Sequence, residues 1–194
     1  TKQQVAAEIS AILAFSALKN NDKVGLILFS DKIEKFVPPR KGKTHALRIV
    51  RDVLSFEPGE SLTDLRMALE YFNHTVKKRS IAFLISDFID DGFGKILKIV
   101  GRKHDLIAVE LSDSKEREIP EIGLADFIDA ETGEIITLDT SETDFRKWFE
   151  HNSKLRKNNL AGMFRSGNID TIPVDIDRPY VKSLIDFFKQ REKR

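Results

Sequence analysis

Cysteine is absent from the 194 residues. Its absence excludes disulfide bonds, thiolate catalysis and cysteine-ligated zinc, and it is typical of a protein kept in a reducing compartment. The sequence also lacks a secretory signal, and it contains no run approaching the roughly 20 apolar residues that a membrane-spanning helix needs. We therefore expect a cytoplasmic protein with no membrane segment in these residues.

Several motifs of known catalysts are missing as well. There is no glycine-rich phosphate loop, no G-x-S-x-G nucleophile elbow and no H-E-x-x-H zinc motif. None of the four histidines has metal-ligand spacing to another, and we expect all of them at the surface: His45, His74, His104 and His151. Because no catalytic constellation is complete, we expect a protein that is not an enzyme.

Charge is nearly balanced, with a net value of +1. Such a chain has no global basic field to attract nucleic acid, so we expect no nucleic-acid partner. The basic residues 189–194 are expected to form a solvated helix end, where cations complement the helix dipole.

Short apolar runs alternate with longer amphipathic segments along the chain. The runs predict buried strands at residues 24–29, 81–86, 105–111 and 169–174, and the segments predict helices at 2–19, 43–54, 63–77, 92–102, from 141 onward and at 180–189. The helix at 43–54 should turn Ala46, Leu47, Val50 and Leu54 inward. This order predicts the α/β class, with a mostly parallel sheet covered by helices on both faces in three layers. No linker interrupts the pattern, so residues 1–194 are expected to form a single domain.

Two weaker strand pairs complete the prediction. Residues 33–37 should return as an antiparallel edge strand that Pro38 and Pro39 end, because proline cannot donate to a ladder. Residues 125–128 and 134–138 should form a hairpin around a turn at 129–133. Ser141 and Asp144 resemble a capping box that opens the following helix.

Asp87 follows the apolar run 81–86 directly. Ligands of open α/β sheets bind beyond the carboxyl ends of the strands, so Asp87 is either a metal ligand or a turn residue. Asp90 and Asp91 are either further ligands or caps of the helix near Gly92. Thr63 offers a hydroxyl just before another helix, although Ser61 and Asp64 around it also fit a capping box.

Three stretches carry a resemblance to a known family. They are residues 21–31 (NDKVGLILFSD), residues 63–65 (TDL) and residues 84–88 (LISDF), with the order of elements continuing through residues 129–133 to the basic C-terminus. This combination resembles the von Willebrand factor A (vWA) domain, and within it the bacterial family called domain of unknown function 58, found beside MoxR-type AAA+ ATPases. The resemblance covers nearly the whole chain.

The resemblance implies a metal-ion-dependent adhesion site that binds Mg²⁺ or Mn²⁺. Such a site takes a D-x-S-x-S motif after the first strand, a threonine from a later loop and an aspartate at a following strand end. Thr63 and Asp87 match the second and third of these. The D-x-S-x-S motif does not occur in this sequence, and the chain starts where the family's first helix starts. The resemblance therefore implies that the family's first strand is missing from this chain. In the family that strand is central and lies between the strands that correspond to residues 24–29 and 81–86. We expect an N-terminally incomplete domain with reduced core burial and with weak or no metal binding.

The resemblance also implies a function. It indicates a non-enzymatic protein-binding module that acts with a MoxR-type AAA+ ATPase and a client protein in the assembly or maturation of a protein complex. An alternative drawn from the residues is a metal-dependent phosphoester hydrolase that uses Asp87 with Asp90 or Asp31. A scaffold that binds no ligand is a third possibility.

Overall fold

The computed structural model describes residues 1–56, 63–113, 121–128 and 135–191, which form a mixed α/β structure. In chain order the elements are α1 (Lys2–Lys19), β1 (Val24–Phe29), β2 (Ile33–Arg40), α2 (Lys43–Leu54), α3 (Leu65–Thr75), β3 (Ile81–Ser86), α4 (Gly94–Lys103), β4 (Asp105–Ser112), β5 (Leu124–Ile128), β6 (Ile135–Asp139), α5 (Thr143–Gly167), β7 (Asp170–Asp175) and α6 (Val181–Arg191). They divide into two compact units, Thr1–Ser80 with Ile89–Lys103 and Ile81–Phe88 with His104–Arg194. That residues 1–194 form one domain stays a prediction.

In the first unit, β1 and β2 pair antiparallel, as predicted. The prediction that the two prolines end β2 is wrong, because the strand continues to Arg40. Leu26 faces Val37 and Val24 faces Arg40, so the residue between them, Gly25, stands opposite both prolines in a bulge. A bulge leaves its extra residue unpaired, and a proline without an N–H is tolerated there.

Helices α1 and α2 pack against each other and against β1. The core between them is apolar and holds Ala7, Ala14, Val37, Ile49 and Val53. The extent of α2 and the burial of Ala46 are confirmed, but Leu47 and Leu54 were wrongly predicted to face inward. These two leucines are exposed, whereas Ala46, Ile49 and Val53 are buried. Since successive helical residues turn by about 100°, each leucine follows a buried residue and lies off the apolar stripe.

An acidic side chain, Asp52, is buried in α2. Its carboxylate lies 3.0 Å from Lys35 Nζ, 3.5 Å from Arg48 Nε and 3.4 Å from Arg51 Nη2. Burial raises the pKa of Asp52, but the hydrogen bonds and charges of Lys35 and Arg51 lower it below its ordinary value overall.

In the second unit, β3, β4 and β7 form a parallel sheet in the order β3-β4-β7. Helices α5 and α6 pack on β7. This arrangement confirms the predicted α/β class, with a parallel sheet flanked by helices. Because the strands are parallel, their carboxyl ends share one edge. Ser86 is in register with Glu110, and Ser112 is in register with Asp175.

The prediction that β1 and β3 are buried strands is wrong. No residue of β1 is fully buried, and in β3 only Leu84 is. The central strand β4 does meet the description, with Leu106 to Val109 all buried. The reason is position in the sheet, because β4 has a partner on each side, whereas β1 and β3 each pair on one side in the part of the chain that the structure describes.

The hairpin of β5 and β6 is confirmed as an antiparallel pair, and its predicted turn at 129–133 lies outside the described residues. The predicted capping box at Ser141 is wrong. Helix α5 begins at Thr143 with Glu142 as its N-cap, and no side chain caps it. Ser141 instead donates from both its amide and its hydroxyl to Asp139. Serine side chains often form such local hydrogen bonds instead of capping a helix.

Two predictions of surface residues are corrected near β4. His104 is only 1% exposed, so not all histidines are on the surface. Arg191, expected in a solvated tail, lies 2.6 Å from Asp105 and 3.1 Å from Asp170 through its guanidinium nitrogens. The Asp105 hydrogen bond is the main reason that the pKa of Arg191 is raised. Among the described helices, none has the length and apolar character to cross a membrane.

Candidate functional site

Thr63 lies one residue before the N-cap of α3, and it is exposed. The cap is Asp64, whose carboxylate accepts a hydrogen bond from the Met67 amide at 2.7 Å. The predicted capping box is therefore wrong, because it assigned Asp64 to the third helical position. Ser61 lies outside the described residues. The Asp64 amide donates to the Ser30 carbonyl at 3.0 Å, which ties the start of α3 to the end of β1.

Asp90 caps α3 rather than the helix that follows it in sequence. Its Oδ2 accepts from the Leu65 amide at 2.8 Å, and its Oδ1 accepts from the Asp91 amide at 2.6 Å. The prediction that it caps the helix near Gly92 is wrong for this residue. Two carboxylates, Asp64 and Asp90, thus satisfy first-turn amides of α3 and lie at the positive end of its dipole.

At the end of β1, Ser30 is buried and Asp31 is exposed. The Ser30 hydroxyl lies 2.7 Å from a Glu34 oxygen and 3.1 Å from an Asp31 oxygen. Since a hydroxyl has one proton, it donates to one of these carboxylates at a time. The end of β1, the start of α3 and the segment before α4 therefore form one polar cluster in the first unit.

Asp87 belongs to the second unit, directly after β3, and is half-buried. The next residue, Phe88, has φ +57°, which is a strained conformation for a bulky side chain. Two contacts hold it there. Its amide donates to Ser86 Oγ at 3.0 Å, and its buried ring meets Phe164 edge-on with centroids 5.1 Å apart. They fix the direction in which the backbone leaves Asp87.

The edge that carries Asp87 has further polar residues that the sequence interpretation missed. Glu110, Ser112 and Asp175 occupy the last positions of β4 and β7, and Asp175 accepts from the Asp177 amide at 3.1 Å. A repeated sequence pattern could have indicated part of this edge. A Ser-Asp pair lies at the end of each of β1, β3 and β4, at residues 30–31, 86–87 and 112–113.

Among the described residues, the side chains do not make up a complete metal site. A hard divalent ion takes six or more oxygen ligands, some of them water, and carboxylates supply the charge. In residues 1–56, 63–113, 121–128 and 135–191, no group of three or more histidine, cysteine, aspartate or glutamate side chains is placed to hold an ion. Thr63 and Asp87 lie in different units, and their pairing around Mg²⁺ or Mn²⁺ stays a prediction.

Comparison with solved structures shows a similar fold in two proteins of low sequence identity. BatB of Bacteroides thetaiotaomicron aligns over 99% of this chain and 89% of its own, with 14% identity and a TM-score of 0.59. An aerotolerance-related membrane protein of Bacteroides fragilis aligns over 88% of this chain and 81% of its own, with 16% identity and a TM-score of 0.52.

Sequence relatives occur in mycobacteria. Uncharacterized protein Rv1480 of Mycobacterium tuberculosis is 21% identical over 195 residues, which cover 99% of this chain and 61% of the relative. Uncharacterized protein MAV169 of Mycobacterium avium is 26% identical over 161 residues, 81% of this chain and 94% of the relative. The chain thus spans about three fifths of the length of the first of these. The model of the family described as "Protein of unknown function DUF58" matches residues 1–159, and the chain belongs to this family.

Proposed function

We propose that this chain is a non-enzymatic protein-binding module that acts with a MoxR-type AAA+ ATPase in the assembly or maturation of a protein complex. The ATPase partner comes from the vWA-like resemblance of residues 21–31, 63–65 and 84–88. Membership of the DUF58 family supports the family part of that resemblance. Because the proposed partner consumes ATP, we place the module in the cytoplasm.

The observation that carries protein binding is the exposed face of the β5–β6 hairpin. Leu124 is 75% exposed and Ile135 is 62% exposed. Side chains alternate along a strand, and the register puts these two on the same face. A hydrogen bond of 2.6 Å from the Thr137 hydroxyl to Asp126 lies between them on that face. Two large apolar side chains around a satisfied polar pair are the composition expected of an interface.

An aromatic pair on α5 adds to this surface chemistry within the same unit. Trp148 is 61% exposed, and its ring stacks on Phe145 with centroids 6.2 Å apart and an interplanar angle of 23°. Tryptophan is enriched at the energetic centres of protein interfaces, because it offers a large rigid area with a polar N–H.

The hydrolase alternative is disfavoured by the hydrogen bonds of Asp90. Its Oδ2 accepts from the first-turn Leu65 amide of α3 and its Oδ1 accepts from the Asp91 amide, so this carboxylate already holds two backbone amides in place. Asp31 and Asp87 belong to different units, and we derive no catalytic step that uses them.

A binding assay tests the proposed function. The chain is immobilised and offered the purified MoxR-type ATPase of the same organism with ATP and a crosslinker, beside the double variant Leu124→Ser/Ile135→Ser. The matched control replaces two exposed apolar residues of the first unit, Phe15→Ser/Leu54→Ser. We expect the hairpin variant to weaken capture at least about tenfold, while the control stays near the parent. Failure of the parent to capture the ATPase would refute the partnership.

The predicted metal ligands are tested separately by calorimetric titration of Mg²⁺ and Mn²⁺. Saturable binding that disappears in both Thr63→Ala and Asp87→Ala would establish them as ligands. Binding that survives both substitutions would assign the ion elsewhere. Neither result decides whether the hairpin binds a protein.

A further inference from the structure

A strongly basic pocket lies at the junction of β2 and α2 in the first unit. It has a volume of about 790 Å³, and its basic lining residues are Arg40, Lys41, Lys43, His45, Arg48 and Arg51. Residues 38–54 contain five lysines and arginines and one acid, a net charge of +4 in a chain whose total is +1. The local field is therefore much more positive than that of the protein as a whole.

Little of this charge is neutralised by the protein. The one acid of the stretch, Asp52, is buried and pairs with Arg48 and Arg51 from its own helix. Within the described ranges, no carboxylate pairs with Arg40, Lys41 or Lys43, and all three side chains are exposed. Three like charges on four consecutive residues repel one another, and a bound anion would relieve that repulsion.

An apolar side chain, Leu47, and a histidine held by a hydrogen bond, His45, also line the pocket. Leu47 lines it with an exposed side chain, one helical turn after Lys43. His45 is held by a hydrogen bond of 2.9 Å between its Nε2 and the Val24 carbonyl of β1. Since a carbonyl only accepts, Nε2 carries the proton, and the ring anchors the first turn of α2 to the sheet.

We propose that this pocket binds a multiply charged organic phosphate of about nucleotide size. Several cations converge on one concavity, and arginine and lysine are the side chains that bind phosphate oxygens most strongly. The volume lies in the range of small-molecule sites. Leu47 gives the organic part of the ligand an apolar contact.

The test uses the full chain and two probes, ADP and inorganic pyrophosphate, in calorimetric titrations at several salt concentrations. The pocket variant is Lys41→Gln/Lys43→Gln. The matched control removes the same charge from the exposed pair Lys77→Gln/Lys78→Gln in the same unit. We expect one saturable site per chain, weakened at least about tenfold in the pocket variant and within about twofold in the control. In a parallel titration followed by NMR, the resonance of the Gly42 amide should shift.

A second pair of variants tests the organic part. Leu47→Ser should weaken ADP binding and leave pyrophosphate binding unchanged, while Leu54→Ser on the same helix changes neither. An equal effect of Leu47→Ser on both probes, or none on either, would overturn the apolar contact.

Four outcomes would overturn the proposal itself. The first is no saturable binding of either probe. The second is an equal loss in the pocket and control variants, which would indicate unspecific charge attraction. The third is binding only to vesicles that contain phosphatidylglycerol, which would indicate a membrane surface. The fourth is tighter binding of a polyglutamate peptide than of ADP, which would indicate an acidic protein segment.

Discussion

Replacing Asp90 by alanine should destabilise the protein through α3, a helix that starts 25 residues earlier in the sequence. The substitution removes the acceptor of the Leu65 amide, which lies 2.8 Å from Asp90 Oδ2. Leu65 has no exposed surface, so water is poorly placed to replace the carboxylate. A lost helix cap costs about 1 kcal/mol, and a buried amide left without a partner costs about 1–3 kcal/mol.

These values overlap, because both describe the same broken bond, and we expect a loss of about 2 kcal/mol in the free energy of unfolding. For a chain of this size, the melting temperature should fall by about 4–8 °C. Urea unfolding followed by circular dichroism measures the free energy, and calorimetry measures the melting temperature. Asp90→Asn should recover part of the loss, because the amide oxygen still accepts a hydrogen bond.

The control is Asp91→Ala, since Asp91 is the exposed neighbour of Asp90 and should change stability by less than about 0.5 kcal/mol. Equal stabilities of Asp90→Ala, Asp91→Ala and the parent would refute the capping role. If Asp90→Ala kept full stability and abolished a metal-dependent hydrolysis, Asp90 would be a catalytic residue rather than a helix cap, and the hydrolase alternative would be favoured.

Three further predictions concern other contacts. Gly25→Ala would place a Cβ 2.9 Å from the Val37 carbonyl oxygen, so we expect urea unfolding to show a destabilisation of about 1–3 kcal/mol. An unchanged urea midpoint would contradict the close approach of the Gly25 and Val37 backbones. Arg191→Gln should cost about 1–3 kcal/mol because it breaks two partly buried ion pairs. Arg178→Gln, whose exposed arginine lies 3.6 Å from Asp175, should cost under about 0.5 kcal/mol, and equal costs of the two substitutions would refute this ranking. The pKa of Asp52 is lowered in the folded protein, so its carboxylate stabilises the fold at pH values above the pKa that it has in the unfolded chain. This stability is lost as the pH falls below about 4. Asp52→Asn should therefore flatten the dependence of the unfolding free energy on pH in that acidic range.

The sequence was most informative where a local pattern decides the structure. Helix α1 has the predicted limits, and so does the run of β3, because apolar spacing and the flanking polar residues act over a few positions. The same reasoning overestimated the burial of β1 and β3. An apolar composition shows that a strand can be buried, but the number of neighbouring strands decides whether it is, and that number depends on distant parts of the chain.

Capping was the other limit of prediction from sequence. Asp90 was assigned to the nearest helix start, although it accepts from an amide 25 residues away. Asp64 was given the third position of a box and is the cap itself. The same limit applies to His104, which precedes β4, and to Arg191, the last residue of α6. A polar residue at the end of an element looks solvated until the elements packed around it are known.

The strand-end position of Asp87 is where local preference and fold disagree most clearly. A phenylalanine at φ +57° costs about 1–3 kcal/mol of strain, and a glycine would relieve it. The buried ring at that position recovers stability through its edge-on contact with Phe164 on α5. The direction of the chain after Asp87 is therefore set by packing within the second unit. This explains why the short motif at residues 84–88 indicated the location of the candidate site but not the geometry of its backbone.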